Sequence, residues 1–332
     1  MENKDTQYLH AAARVSSLEN QLITQQELVK AIEAPSAEEA YKGLSNKELF
    51  KGFALKEYEA AFEKNLKESY ALIEKITNGL GLTNIFRYPS DGHNLKVLVK
   101  AKEAGGDFSY LFKHDGTVPL EVLQAELDNE KFDKLPRALG EAALQAMDQL
   151  AKTKDAQTVD LTVDKVVIKL MVEKAEEIGN PLLTQYVKAK VDLININTAL
   201  RLIGMKKDAY EVRSIFCPGG TLSPRDIEEN YSSGYEGINK LIDKAGHGKR
   251  LLASVNAIKQ GETITAFEQN LDGCFKDLLS RSRIIPFGIE PIIGYLYLKD
   301  REIRATRMVL ASKVFDIPKE QIGERLRYIY AE

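Results

Sequence analysis

With 332 residues, 44% of them hydrophobic, the chain has material for two or three domains with substantial cores. A formal net charge of −3 excludes the strongly basic character of a nucleic-acid binder. Two cysteines far apart, Cys217 and Cys274, exclude a disulfide framework and point to a reducing compartment, while the lack of tryptophan and the wealth of Ala, Leu, Lys and Glu point to helices.

The polar start, Met1 to Tyr8, is followed by no apolar run, which predicts no signal peptide. Tyr8, Ala12, Val15, Leu18 and Leu22 then recur at helical spacing as one apolar stripe. A capped helix is predicted from Thr24, and a second short one over Ala37 to Leu44 after Pro35-Ser36. A long helix over Lys56 to Asn78 carries Phe62, Leu66, Leu72 and Ile76 and stops at Gly79 to Gly81. The next runs from about Asn94 to Ala104, ends at Gly105-Gly106, and the cycle restarts at Thr117. Further on, Pro181 and Pro291 each open a long helix with an acid three turns in, Asp192 and Glu302; the first copy offers only Pro89 and Asn94-Leu95 as counterparts. The longest nearly uncharged stretch, Ile284 to Leu298, contains Glu290, Pro286 and Pro291 and falls short of the roughly 20 residues of a spanning helix. A soluble chain is expected, one that reaches a membrane only through a protein partner.

Thr24, Thr117, Ser223 and Asp316 share one pattern: an oxygen-bearing cap, proline or a good helix former, then acid in the first turn. A recurrence near 100 residues is too long for a solenoid and predicts three similar helical domains, 1–116, 117–222 and 223–332.

Motifs for chemistry do not accumulate. Gly246-His247-Gly248-Lys249-Arg250 is similar to a phosphate loop, but Asp243 and Arg250 stand where glycine and a hydroxyl residue belong, so a solvated turn is expected. Cys217-Pro218-Gly219-Gly220-Thr221 has the composition to cradle an anion, yet it reads as a loop joining a helix to its next cap. His10, His93, His114 and His247 show no metal-ligand spacing, and surface loops are expected for them. No catalytic residue, cofactor or metal is assigned.

The last 50 residues stand apart. Between Arg281 and Arg307 there are six basic residues and three acids, and Arg301, Arg304 and Arg307 share one side of a helix whose apolar side is Ile292, Leu296, Ile303 and Leu310. Such a row is either a solvated face partly neutralised by Asp300 or Glu302, or a docking surface for an acidic partner, which the planar guanidinium fork suits.

Phe287-Gly288-Ile289-Glu290-Pro291-Ile292-Ile293-Gly294-Tyr295, followed by Lys299, Glu302-Ile303-Arg304, Arg307, Lys313, Ile322 and Glu324-Arg325-Leu326, resembles the C-terminal signature of the C subunit of V-type and A-type rotary ATPases, itself similar to the d subunit of the eukaryotic enzymes. The opening run Tyr8, Ala12, Arg14, Leu18-Glu19 and Leu22, with the Glu38-Glu39-Ala40 helix, resembles the start of the same family, and Asp192, Asn195 and Arg201 resemble its middle more loosely. The resemblance implies an all-α chain of three similar domains around a pseudo-threefold axis, shaped as a funnel. It implies a part that sits on the membrane rotor ring at the cytoplasmic face, receives the foot of the central stalk, transmits torque and performs no chemistry. Charge complementarity then assigns Arg14, Arg281, Arg283, Arg304 and Arg307 to the surfaces that meet stalk and ring subunits, with Lys299 and Glu302 bracing their helix. Two rival readings are a free-standing helical adaptor and a small-molecule enzyme with a cleft near Cys217 to Thr221.

Overall fold

The computed structural model describes residues 8–283, 285 and 287–329, excepting the side chains of residues 249, 250, 266, 269, 272, 281, 283, 324, 325 and 327–329. All regular structure among them is helical: α1 (Leu9–Glu19), α2 (Gln25–Glu33), α3 (Ala37–Leu44), α4 (Tyr58–Ile76), α5 (Asn84–Ala104), α6 (Leu120–Asp128), α7 (Arg137–Thr153), α8 (Ala156–Ile178), α9 (Pro181–Gly204), α10 (Ala209–Ile215), α11 (Pro224–Tyr231), α12 (Tyr235–Ala245), α13 (Lys249–Lys259), α14 (Thr265–Leu279), α15 (Glu290–Val314) and α16 (Lys319–Ile329), with short 3-10 turns between some of them.

One compact unit is Leu80–Gly179 with Cys217–Gly219. Here α8 lies against both α5 and α7, and Leu95, Val99, Leu139, Ala143, Val159, Val163 and Met171 fill the space between them. Gly92 sets how near α5 and α8 come, since a Cβ there would stand 2.4 Å from Cγ2 of Val167. Helix α5 begins at Asn84, ten residues ahead of the expected Asn94, and carries Pro89 inside it. Proline in a helix interior forfeits one backbone bond, but Ile85 and Tyr88 on the added turn are buried, and their burial offsets that loss.

The other unit comprises Met1–Gly79, Asn180–Phe216 and Gly220–Glu332. Its axis is α15, on which α1, α2, α3, α4 and α16 all pack. Ile292, Leu296, Ile303 and Leu310 are buried as their spacing predicts. The two ends of the chain thus build one lobe, tied by Arg307 to Glu59 at 2.9 Å, by Lys319 to Glu33 at 2.9 Å and by the Lys313 ammonium on the Ala34 carbonyl. Helix α9 in turn packs on α10, α11, α12 and α14.

Two of the four expected caps hold. Thr24 and Ser223 each close a reciprocal capping box, with Glu27 and Asp226. Thr117 and Asp316 do not cap: α6 starts at Leu120 behind Pro119, and α16 starts at Lys319 behind Pro318. The Thr117 hydroxyl is taken by a carboxylate of α5, and Asp316 sits at φ 51°, away from the extended backbone of a cap. The corrected starts, 24, 119, 223 and 318, are spaced by 95, 104 and 95 residues. In each helix the fourth residue, Leu28, Leu123, Ile227 or Ile322, is at most 1% exposed.

Candidate functional site

Three long helices each carry a buried carboxylate that grips the backbone just ahead of a short helix. On α15, Glu302 Oε1 accepts from the Ile23 N–H at 2.7 Å. On α5, Asp91 accepts from the Val118 N–H at 3.0 Å and from the Thr117 hydroxyl. On α9, Asp192 accepts from the Leu222 N–H at 2.9 Å, the Thr221 N–H at 2.8 Å and the Thr221 hydroxyl. Ile23, Val118 and Leu222 each precede a cap residue and are buried, as are Leu28, Leu123 and Ile227 five positions on, the placement of a hydrophobic staple. The staple sets the chain's angle of entry and the carboxylate satisfies a buried donor, so each short helix is held to a long one. The counterpart of Asp192 in the first copy is therefore Asp91, between the expected Pro89 and Asn94; Asn94 exchanges two hydrogen bonds with the Lys113 backbone at 2.7 and 2.9 Å.

Close approach explains two glycines. A Cβ on Gly116 would lie 2.4 Å from Asp91 Oδ1, and one on Gly220 would lie 2.1 Å from Asp192 Oδ1. Both stand three residues ahead of their caps; in the remaining copy the position is Gln21, and the acid there is Glu302, longer by one methylene. Gly220 and Thr221 do wrap an anion, and it is the chain's own Asp192.

Each latch has a basic partner. Lys299 meets Glu302 at 2.6 Å with both side chains buried, so this pair braces the helix as its spacing predicts. The Arg87 guanidinium, bonded to the Asp115 and Gly116 carbonyls, bears on Asp91. For Asp192 the partner is His247, whose Nε2 stands 3.8 Å from Oδ2 with the imidazole 9% exposed. His247 is therefore tucked into the protein, a correction to its expected surface position. His93 is corrected as well: it lies on α5 with Nε2 2.7 Å from the Leu111 carbonyl, and burial holds it below the usual imidazole range. Burial also pushes the Asp91 carboxyl up, beyond what Thr117, Val118 and Arg87 recover. Burial works on Asp192 too, but the imidazole, the Thr221 hydroxyl and the backbone donors outweigh it, and that carboxyl lies below the usual range.

The predicted basic residues gather around α15. Arg304 pairs with Asp300 at 2.9 Å, half-exposed, and Arg307 with Glu59, its guanidinium 5.1 Å above the Phe62 ring. Arg14 is exposed on α1, which packs on α15. The backbones of Arg281 and Arg283 fall in the 3-10 turn Ser280–Arg283, also against α15, and their side chains lie outside the described residues. The two described pairs leave each guanidinium partly in solvent, so their charge is moderated without being hidden.

Burial pushes the Cys217 thiol up to about 11, which leaves it protonated and a poor nucleophile. Among the described residues, no His, Cys, Asp and Glu side chains cluster as a metal site, and no helix is long and apolar enough to cross a membrane.

The family profile described as ATP synthase (C/AC39) subunit matches residues 11–325. Over 282 residues the chain is 24% identical to the C subunit of the V-type sodium ATPase of Enterococcus hirae, covering 85% of each. It is 23% identical to the C subunit of the A-type ATP synthase of Methanocaldococcus jannaschii, covering 96% of this chain and 86% of the relative. With the C subunit of the V-type ATP synthase of Thermus thermophilus it shares 24% identity over 71% of each.

Proposed function

Because this chain belongs to the ATP synthase (C/AC39) subunit family, we propose that it is a non-catalytic central-stalk subunit of a V-type or A-type rotary ATPase, coupling the rotating stalk of the catalytic head to the membrane rotor ring. ATP turnover and the transport of protons or sodium ions are then linked through it. The observation that carries this reading is the family match over residues 11–325. Its partners are stalk subunits and ring subunits, with no nucleic acid, and it is held peripherally at the cytoplasmic face, meeting the membrane only through the ring.

A torque-bearing part must deform little, and the helical cores and the three carboxylate latches suit that demand. The latches also support an organisation in three similar lobes, near 1–116, 117–222 and 223–332, around a pseudo-threefold axis as a funnel. Arg14, Arg281, Arg283, Arg304 and Arg307 form the contact surfaces. Half-exposed guanidiniums on a stiff helix steer acidic partners and set register more than they add raw affinity.

Affinity capture of the tagged chain from detergent-solubilised membranes tests the reading. Co-purification of a rotary ATPase is expected, with yield reduced about tenfold or more by Arg304→Glu with Arg307→Glu while the isolated subunit keeps its helical spectrum. Capture of soluble proteins alone would replace this function with that of an adaptor.

A further inference from the structure

The three latches differ in one respect that matters for regulation. The Asp91 and Glu302 latches are faced by a guanidinium, Arg87, and an ammonium, Lys299, whereas the partner of Asp192 is an imidazole. Its Nε2 is buried and, among the described residues, makes no hydrogen bond; 3.8 Å from a carboxylate oxygen, it is within ion-pair reach. Beside it opens a cavity of about 330 Å³ lined by Gln185 and Lys188 of α9, Thr221, the Ala245–Gly248 turn, and Cys274 and Asp277 of α14. Among the described residues, a side-chain tie to the turn from outside is the Cys274 thiol, which donates to the His247 carbonyl at 3.4 Å.

We propose that His247 is a proton-operated clasp: as imidazolium it closes on Asp192 and fastens the α12–α13 turn to α9, and as neutral imidazole it lets the turn move into the adjoining cavity. The cavity beside it is also lined by the Asp192 carboxylate and Lys188 ammonium of α9 and the Asp277 carboxylate of α14, with Thr221 and Cys274 as neutral dipoles. On its own turn, the side chains of Lys249 and Arg250 lie outside the described residues. Because Asp192 also holds Thr221 and Leu222, closing the clasp stiffens the approach to α11 as well as the turn. The clasp is a property of the chain alone and stands whatever complex it joins.

Hydrogen exchange of the purified full chain at about pH 6 and about pH 8, corrected for intrinsic rates, reads it directly. Peptides covering residues 221–223 and 246–251 should gain about fivefold protection at the lower pH, while those covering 23–24 and 117–119 keep theirs. His247→Gln should abolish the gain, and His247→Lys should make protection high at both values. If the wild-type peptides show equal protection at both pH values, the proposal is overturned, and that readout needs no variant to fold. A gain that persists in His247→Gln overturns it too, assigning the response to another group.

Discussion

The latches on α5 and α9 are built from the same parts, yet their carboxyls are shifted in opposite directions. Each has a fully buried aspartate, a threonine hydroxyl, backbone donors ahead of a short helix, and a glycine that makes room for the carboxylate. Yet burial wins at Asp91, whose carboxyl is pushed up, and loses at Asp192, whose carboxyl is held down. Threonine and backbone donors serve both carboxylates, and what Asp192 has in addition is the imidazole. Thr221 offers its N–H to both oxygens of Asp192 at 2.8 and 3.0 Å, and His247 adds a further partner. Repeating a geometry does not repeat its electrostatics, because each extra donor to the ionised form counts against the same desolvation cost. The α15 latch takes a third course, balancing Glu302 with a buried ammonium.

The sharpest test of that contrast is to remove the ammonium. Lys299→Met leaves Glu302 buried and uncompensated, and denaturant unfolding should register a loss of about 3–5 kcal/mol; a loss below about 1 kcal/mol would mean the pair is dispensable and the latches share one electrostatic solution. Next in size, Gly220→Ala drives a Cβ into Asp192 and should cost about 2–3 kcal/mol, with Gly116→Ala costing a similar amount at Asp91. A neutral result at either glycine would show that the loop has room to retreat.

The smallest effect is the most diagnostic. Asp192→Asn should cost about 2 kcal/mol near neutral pH and Asp91→Asn about 1 kcal/mol or less. Asp192, held down in the folded chain, contributes stability that is present above the unfolded carboxyl range and lost as pH falls through its folded value. Asp91, pushed up, contributes stability that is complete below the unfolded range and lost as pH rises through its folded value. Across the acid range the deficit of Asp192→Asn therefore widens with rising pH and that of Asp91→Asn narrows. Deficits that move together would dissolve the contrast.

Much of this was legible in the residues and some was not. The boxes at Thr24 and Ser223 and the Lys299 to Glu302 brace were readable because every partner lies within four positions. The recurrence is visible in the sequence but offset by two residues at Thr117 and Asp316, since there the helix starts behind a proline, while a hydroxyl or acid reads as the better cap. Asp91 is not legible in the sequence because Pro89 reads as a boundary where burial of Ile85 and Tyr88 sustains a helix. His247 read as solvated because glycines flank it, a local cue that says nothing about which carboxylate waits across the turn.

By itself the amino-acid sequence determined the helices, their apolar faces and the recurrence of capped starts, because these depend on propensity, period and neighbours within a turn or two. Only the tertiary structure decided that Glu302 would reach Ile23, 279 positions away, and that both chain ends would share one lobe. It also decided the fate of two near-identical aspartates. A carboxylate's ionisation depends on which donors and charges surround it once water is gone, and those are delivered by segments whose meeting no local pattern records.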